Sequence, residues 1–336
     1  MTNHSLVGIV VLNWNGREDT LECLASVFAI EYPNFEVIVV DNGSVDGSVP
    51  AIKKEFPQAV VLETGRNLGY AGGNNVGIEA ALQRGAEFVF ILNNDAVVDP
   101  AVLKAFMEAA GAYPDGGAFA AKIYYKSAPR LLWYAGGLWQ EESGTFAHIG
   151  MHATDTCSCF EGLTETDYAC GCAMLLRASA IRNVGIFDPM FFLTFEEPDW
   201  CFRAKKKGYR SIFVPGAKVW HKVSVSFGGE NSPLFIYFYT RNRLLWAERH
   251  LGLNGRLKVW RSTVREMLPP WEEHRPGESH RFKKRYWRSI AWVKRLRCDW
   301  PNPTRRAMRR AVMDYVFRSF GDCPQAVRHA NRAAPR

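Results

Sequence analysis

Asn93-Asn94-Asp95 follows directly on the apolar run Phe88 to Leu92. A short apolar run ended by polar residues is the pattern of a central parallel strand, and ligands of open α/β sheets bind just beyond the carboxyl ends of such strands. A carboxylate placed there either anchors a metal or repels a phosphate. Two other apolar runs end in the same way. The first closes in Asn13-Trp14-Asn15-Gly16 and the second in Asp41-Asn42-Gly43-Ser44. Between them and Asp95 lies a glycine-rich stretch, Gly65 to Asn74, with Arg66, Asn67 and Gly72. Glycine lets backbone approach a ligand closely, and Arg66 can pair with a phosphate or a base carbonyl. The same residue types also serve ordinary turns. Three such clusters on neighbouring strand ends make turn chemistry alone a weaker account.

Further along, Phe191-Phe-Leu-Thr-Phe-Glu196-Glu197-Pro198-Asp199-Trp200 sets three carboxylates within four residues beside aromatic bulk. Crowded carboxylates raise one another's pKa, and apolar neighbours add desolvation, which is how a carboxylate becomes a general base near neutral pH. Pro198 suits a first helical turn, so the cluster also reads as an acidic helix start and nothing more. His221 closes a short run, Lys218 to His221. A lone histidine is ordinarily a packing or surface residue, and it matters here only if Asp95 holds a metal.

The elements that position these residues follow from periodicity. Strands are expected at 6–12, 36–40, 59–62 and 88–92, with helices at 19–28, 48–56 and 74–83 and another starting at Pro100. Alternating strands and helices give a parallel sheet with right-handed crossovers. Residues 117–177 read as shorter strands and turns, with strands at 131–135 and 169–176. A helix is expected over 198–207, short strands at 211–214 and 217–220, and a long aromatic-rich helix over 233–250. Beyond Gly255 the chain shows helical segments punctuated by prolines. The expected organisation is an α/β nucleotide-sugar-binding half over 1–115, an acceptor-binding and catalytic half over 116–254, and a basic helical C-terminal extension over 255–336.

The chain has 336 residues, is 47% hydrophobic and 23% charged, and so reads as globular. No G-x-G-x-x-G follows the first strand and no P-loop occurs, which argues against a dinucleotide dehydrogenase or a P-loop NTPase. The eight cysteines do not make a disulfide scaffold. Cys157-x-Cys159 and Cys170-x-Cys172 lack both the spacing and the histidines of a zinc site, and buried thiols are the expected reading. Met1-Thr-Asn-His lacks the basic and apolar regions of a secretory signal, and no stretch reaches 18 apolar residues, so a cytoplasmic protein is expected.

Together these motifs resemble the inverting family 2 glycosyltransferases of the GT-A fold, most closely the rhamnosyltransferase-like branch. The resemblance covers roughly residues 6–250. It is carried by Val11-Leu-Asn13-Trp-Asn15, Val40 to Gly47, Asn67 to Asn75, Leu92 to Asp95, Gly171-Cys-Ala-Met174, Glu196-Glu197-x-Asp199-Trp200 and Trp220-His221. It implies a Rossmann-like, mostly parallel sheet flanked by helices, with a smaller acceptor-side region. It also implies that Asn13, Asn15, Asp41, Asn42, Arg66, Asn67, Gly72, Asn74, Asn93 and Asn94 serve the donor nucleotide. Asp95 and His221 would hold a Mg²⁺ or Mn²⁺. Asn93-Asn94-Asp95 stands where the family has Asp-x-Asp, so the protein supplies one charge fewer and the substrate phosphates supply more of the coordination. Glu197 would be the base, with Glu196 and Asp199 beside it, where many relatives have Glu-Asp. Gly171 and Trp200 would line the acceptor side, and Trp133, Tyr134 and Met174 would shape sugar selectivity.

The partners this implies are a dTDP- or UDP-linked sugar and a glycan or lipid-linked acceptor. L-Rhamnose is favoured by the resemblance alone. Galactofuranosyl or N-acetylhexosaminyl transfer, a sugar-phosphate nucleotidyltransferase and an inactive sugar-binding module remain open alternatives. Charge is uneven: residues 255–336 hold 21 Lys/Arg against 7 Asp/Glu, whereas the whole chain carries +8. Cations interleaved with Tyr and Trp over 280–300 suit an anionic membrane surface, which would seat the protein peripherally on the inner face of the plasma membrane. A solvated basic face explains the same composition. No nucleic-acid-binding motif accompanies it.

Overall fold

Buried β-branched residues build the centre of the sheet. Val7–Asn13 (β1), Phe35–Asp41 (β2) and Phe88–Asn93 (β4) are covered on both faces, as their continuous apolar runs require. The structure, a computed structural model, describes residues 4–223, 232–267 and 302–333. The chain divides into two compact units. The first comprises residues 1–140 and 145–223, and the second 141–144 and 224–336.

In the first unit, β1 pairs in parallel with both β2 and β4, and β2 with Val60–Glu63 (β3). On the other side, Ala173–Arg177 (β11) runs antiparallel between β4 and Gly116–Tyr125 (β6). Arg210–His221 (β12) pairs in parallel with β6. Ala96–Val98 (β5) and Ala128–Tyr134 (β7) attach to β12 and β6, and Thr164–Thr166 (β10) closes one edge. Gly137–Gln140 (β8) and Thr145–His148 (β9) form a separate hairpin. Helices Arg17–Val27 (α1), Ser48–Glu55 (α2), Gly69–Gln83 (α3), Val102–Ala112 (α4), Ala178–Val184 (α5) and Glu196–Lys206 (α6) complete the unit.

Several boundaries differ from expectation for identifiable reasons. Helix α3 starts at Gly69, not Asn74, because its glycines are packing positions. A Cβ at Gly73 would lie 2.4 Å from Leu12 and one at Gly77 2.3 Å from Val10, so the bare helix face rests on β1. Helix α4 starts at Val102, two residues after Pro100, because Asp99 receives the backbone N–H groups of Ala101 and Val102. Helix α6 begins at Glu196, so both glutamates occupy its first turn. The two short strands expected over 211–220 are one strand, β12, with a bulge between Val214 and Lys218 that takes up Pro215 and Gly216.

The second unit is helical: Pro233–His250 (α7), Leu253–Met267 (α8), Pro303–Val316 (α9) and Gln325–Ala333 (α10). Ser232 caps α7 through the Phe235 N–H, and Asn302 caps α9 through that of Arg305. Its interior is unusually polar. Arg243 is buried, pairs with Glu266 at 3.0 Å and donates to the carbonyls of Ser143 and Gly144. Tyr237 donates to Asp314 at 2.7 Å. The basic segment 280–300 lies outside the described residues.

Candidate active site

Strand register gathers the site. Asn13 lies beside Asp41 and Leu12 beside Asn93, so β1, β2 and β4 end flush. Across β4, the Asn93 N–H donates to the Cys172 carbonyl at 2.9 Å, which brings Gly171 to the same edge. The β5–β12 pairing sets His221 opposite Ala96, next to Asp95.

At the donor side most amides are engaged with one another. Asn13 is fully buried. It donates to Asp41 (2.8 Å) and Ser44 (3.1 Å) and accepts from Gly16 and Thr20. Asn13 thus spends its side-chain hydrogen bonds inside the protein and ties the neighbouring loops together. Asn42 donates to Asn67 and to the Gly69 carbonyl and accepts from Leu68, pinning the glycine-rich turn. Asn94 donates to Thr20 at 2.9 Å. Asn74 is buried and donates to the Tyr70 carbonyl, while Gly72 sits in the first turn of α3. Asp41 accepts from Asn13 and from the Ser44 N–H. Arg66 and Asn15 are exposed, and Asn93 is half-buried at the strand end. Arg66 and Asn15 are thus the most accessible of these polar groups.

Asp95 and His221 are both buried, with Oδ1 and Nε2 3.0 Å apart. Burial works against the charged carboxylate, but the facing His221 ring outweighs it and holds Asp95 below the ordinary carboxylate range. Yet Asp95 Oδ1 and His221 Nδ1 have no hydrogen-bond partner of good geometry among the described residues. Neighbouring donor atoms on an octahedral ion with bonds of about 2.1 Å also stand about 3 Å apart. The 3.0 Å separation of Asp95 Oδ1 and His221 Nε2, with Oδ1 lacking a partner, therefore fits a Mg²⁺ or Mn²⁺ shared by the two side chains. Among the described residues no group of three or more His, Cys, Asp or Glu side chains is placed to hold a metal. An ion there would take its other ligands from substrate or water.

On α6, Glu197 is half-buried, and its Oε1 accepts the Gly171 N–H at 3.0 Å. Burial raises its pKa, against the pull of that hydrogen bond. Glu196 is more deeply buried, and burial followed by the Glu197 charge pushes it well above the usual range. Its Oε2 has no partner among the described residues. Asp199 is fully buried and bound to Arg203 Nε at 2.8 Å. That ion pair lies within α6 and engages the carboxylate expected beside Glu197. Trp200 follows it in α6. It is fully buried and donates to the Gly185 carbonyl, so it belongs to the core. Tyr134 and Met174 are also fully buried. Only half-buried Trp133 remains available to a sugar, its ring tilted against His221 at 4.8 Å. Cys170 and Cys172 are the buried thiols expected, but Cys157 and Cys159 are exposed and bonded to each other.

Two residues at the site were missed. Tyr70 donates to the Gly171 carbonyl at 2.5 Å, and its own N–H donates to the Phe192 carbonyl at 2.6 Å. It therefore links the glycine-rich turn to the strand end that holds Glu197. His148 packs edge-on against Trp133 at 4.6 Å, and burial lowers its pKa to about 4, so it is neutral at pH 7. The aromatic residue within the glycine run was the available signal for Tyr70. Nothing in the sequence around His148 distinguishes it.

Known proteins carry the same pattern. The family description "Glycosyl transferase family 2" matches residues 8–183. The N-acetylglucosaminyl-diphospho-decaprenol L-rhamnosyltransferase of Mycobacterium tuberculosis is 30% identical over 270 residues, which is 73% of this chain and 83% of that protein. The dTDP-rhamnosyl transferase RfbF of Shigella flexneri is 23% identical over 261 residues, 74% of this chain and 83% of its own. In fold, the chain is similar to a mannosyltransferase of Pyrobaculum calidifontis, solved with GDP-Man and Mn²⁺. The TM-score is 0.56 at 15% identity, covering 95% of this chain and 89% of that one. The α/β sheet with its polar strand ends is the GT-A architecture of glycosyltransferases. The chain belongs to glycosyl transferase family 2 and is a glycosyltransferase.

Proposed function

We propose that this enzyme transfers L-rhamnose from a dTDP- or UDP-linked donor to a hydroxyl of a glycan or lipid-linked acceptor in cell-surface polysaccharide synthesis. The transfer is a single displacement that inverts the anomeric centre. Two relatives named as rhamnosyltransferases support the sugar, and the name of the first, which includes diphospho-decaprenol, supports a lipid-linked acceptor. The reading rests above all on Glu197: a half-buried carboxylate with a raised pKa that accepts the N–H of Gly171, whose neighbour Cys172 is hydrogen-bonded to Asn93 at the end of β4.

In this reading Glu197 accepts the proton of the acceptor hydroxyl as that oxygen bonds to the anomeric carbon. The bond from that carbon to the diphosphate breaks in the same step, and no sugar–enzyme bond forms. Arg66, Asn15 and Asn93 meet the nucleotide, over a floor fixed by Asn13, Asn42 and Asn94. Asp95 and His221 hold the divalent ion, which supplies positive charge against the departing diphosphate.

Glu197→Gln removes the base while keeping shape. Turnover should fall about a hundredfold or more, with donor affinity by calorimetry nearly unchanged. Undiminished turnover rejects Glu197. Release of nucleoside diphosphate from the donor is expected, whereas pyrophosphate would point to a nucleotidyltransferase. Excess chelator should abolish transfer and Mg²⁺ or Mn²⁺ restore it; full activity in chelator removes the ion from the scheme.

A further inference from the structure

Helix α8 buries one side and leaves a second apolar stripe outside. Val259 and Thr263 face the interior of the helical unit. Leu253, Leu257, Trp260 and Val264 recur at helical spacing on another face. Three of them are strongly exposed: Leu253 at 73%, Leu257 at 43% and Val264 at 46%. Trp260 lies half-buried among them. Exposed Arg256 borders the stripe on one side, and exposed Arg261 and Arg265 border it on the other. The one acidic residue of the helix, Glu266, points away to Arg243. The arc that α8 itself exposes is thus apolar along its centre and cationic at its margins, with Glu248 of α7 beside Arg256 alone of these arginines.

We infer that this face of α8 docks onto a bilayer that carries anionic head groups. Single exposed leucines need no explanation, but a continuous stripe that includes a tryptophan does. In an interfacial helix the apolar stripe enters the acyl boundary, tryptophan sits at the head-group level, and arginines reach out to lipid phosphates. A protein partner would also bury an apolar centre within a charged rim; the tryptophan on a narrow helical stripe flanked by arginines is what favours a lipid surface. Among the described residues no helix is long and apolar enough to cross a membrane, so attachment through this face is peripheral. The surface gains its purpose from the proposed lipid-linked acceptor, which is confined to the membrane plane. Its test does not depend on that reading.

The test is flotation of the full chain with vesicles of phosphatidylcholine alone and of phosphatidylcholine with phosphatidylglycerol, without donor or acceptor. Binding to the mixed vesicles, weakened by salt, is expected. The double substitution Leu257→Asp and Val264→Asp should lower the bound fraction about tenfold or more. Arg261→Glu with Arg265→Glu should remove the preference for anionic vesicles. Both variants should keep their circular dichroism and their nucleoside diphosphate release with a water-soluble acceptor, since the stripe is remote in sequence from the catalytic residues. No binding, or binding unchanged in the aspartate variant, overturns the inference. A salt-resistant dimer in light scattering that the aspartate variant abolishes would instead assign the face to a second copy of the chain. Loss of transfer with vesicle binding intact would count against the catalytic reading alone.

Discussion

A Cβ added at Gly171 would lie 2.5 Å from the Tyr70 hydroxyl oxygen and 2.8 Å from both Cγ and Oε1 of Glu197. The sequence reading gave this glycine to the acceptor, as a gap that a side chain would obstruct. The space beside its Cα is occupied by Tyr70 and by the proposed base, Glu197. Gly171 offers its N–H to Glu197 and its carbonyl to Tyr70, so one residue orients the carboxylate and anchors it to the glycine-rich turn. Gly171→Ala must displace Glu197, Tyr70 or the backbone between them. Misplacing a reacting group by about 1 Å costs about a hundredfold in rate. Turnover should fall by about that factor, with donor affinity little changed. Retained turnover in a folded Gly171→Ala enzyme would falsify the proposed aim of Glu197.

Helix α3 and the segment 191–195 hold each other. The Phe192 carbonyl accepts from both Tyr70 and Ala71 N–H groups, satisfying two of the orphan donors at the helix start. Phe192, Thr194 and Phe195 all have left-handed φ values, of 61°, 69° and 73°. Side chains rarely accept that conformation, and its recurrence immediately before Glu196 places strain next to the chemistry. Gly69 completes the contact. Its φ is +76°, and a Cβ there would lie 2.4 Å from the Phe192 carbonyl oxygen. Gly69→Ala should destabilise the protein by about 2–4 kcal/mol and reduce turnover through Tyr70; chemical denaturation and initial rates check both. An alanine variant as stable as the parent would show that the segment yields without cost. This contact also marks what sequence reading reaches. Apolar runs such as Val7 to Leu12 and Phe88 to Leu92 announce the strands, because burial on both faces leaves no other composition. Polar strand ends announce the site through the same geometry. What stayed hidden was which side chains spend their hydrogen bonds inside the protein. Asn13 and Asn15 are the same residue type two positions apart, yet one is saturated beneath the loops and the other is exposed. Asp199 and Glu197 differ likewise, because only helical spacing toward Arg203, which the sequence reading did not weigh, captures the aspartate.

Across the whole chain, two carboxyl environments carry opposite pH signatures. Asp155, despite its burial, is held below its usual range by Tyr124 and Lys122. Groups of this kind stabilise the fold above their unfolded pKa, and that stability is lost as pH falls through the depressed native value. Glu196 behaves in the reverse sense. Burial and the Glu197 charge raise it well above the ordinary 4.5. Its contribution is complete below 4.5 and is lost as pH rises toward the raised native value, because the unfolded chain gives up its proton first. Glu196→Gln keeps the neutral form at every pH. The variant should match the parent in melting temperature near pH 4.5 and exceed it at about pH 8. A parallel displacement at both pH values would show that Glu196 carries no such penalty. The same variant separates the two glutamates in catalysis. Glu196 lies behind Glu197 with little solvent access, so Glu196→Gln should retain most turnover, whereas Glu197→Gln loses it. An equal loss in both would move the base from Glu197 to the coupled pair, and the raised pKa of Glu196 would then belong to the mechanism and not to the cost of burial.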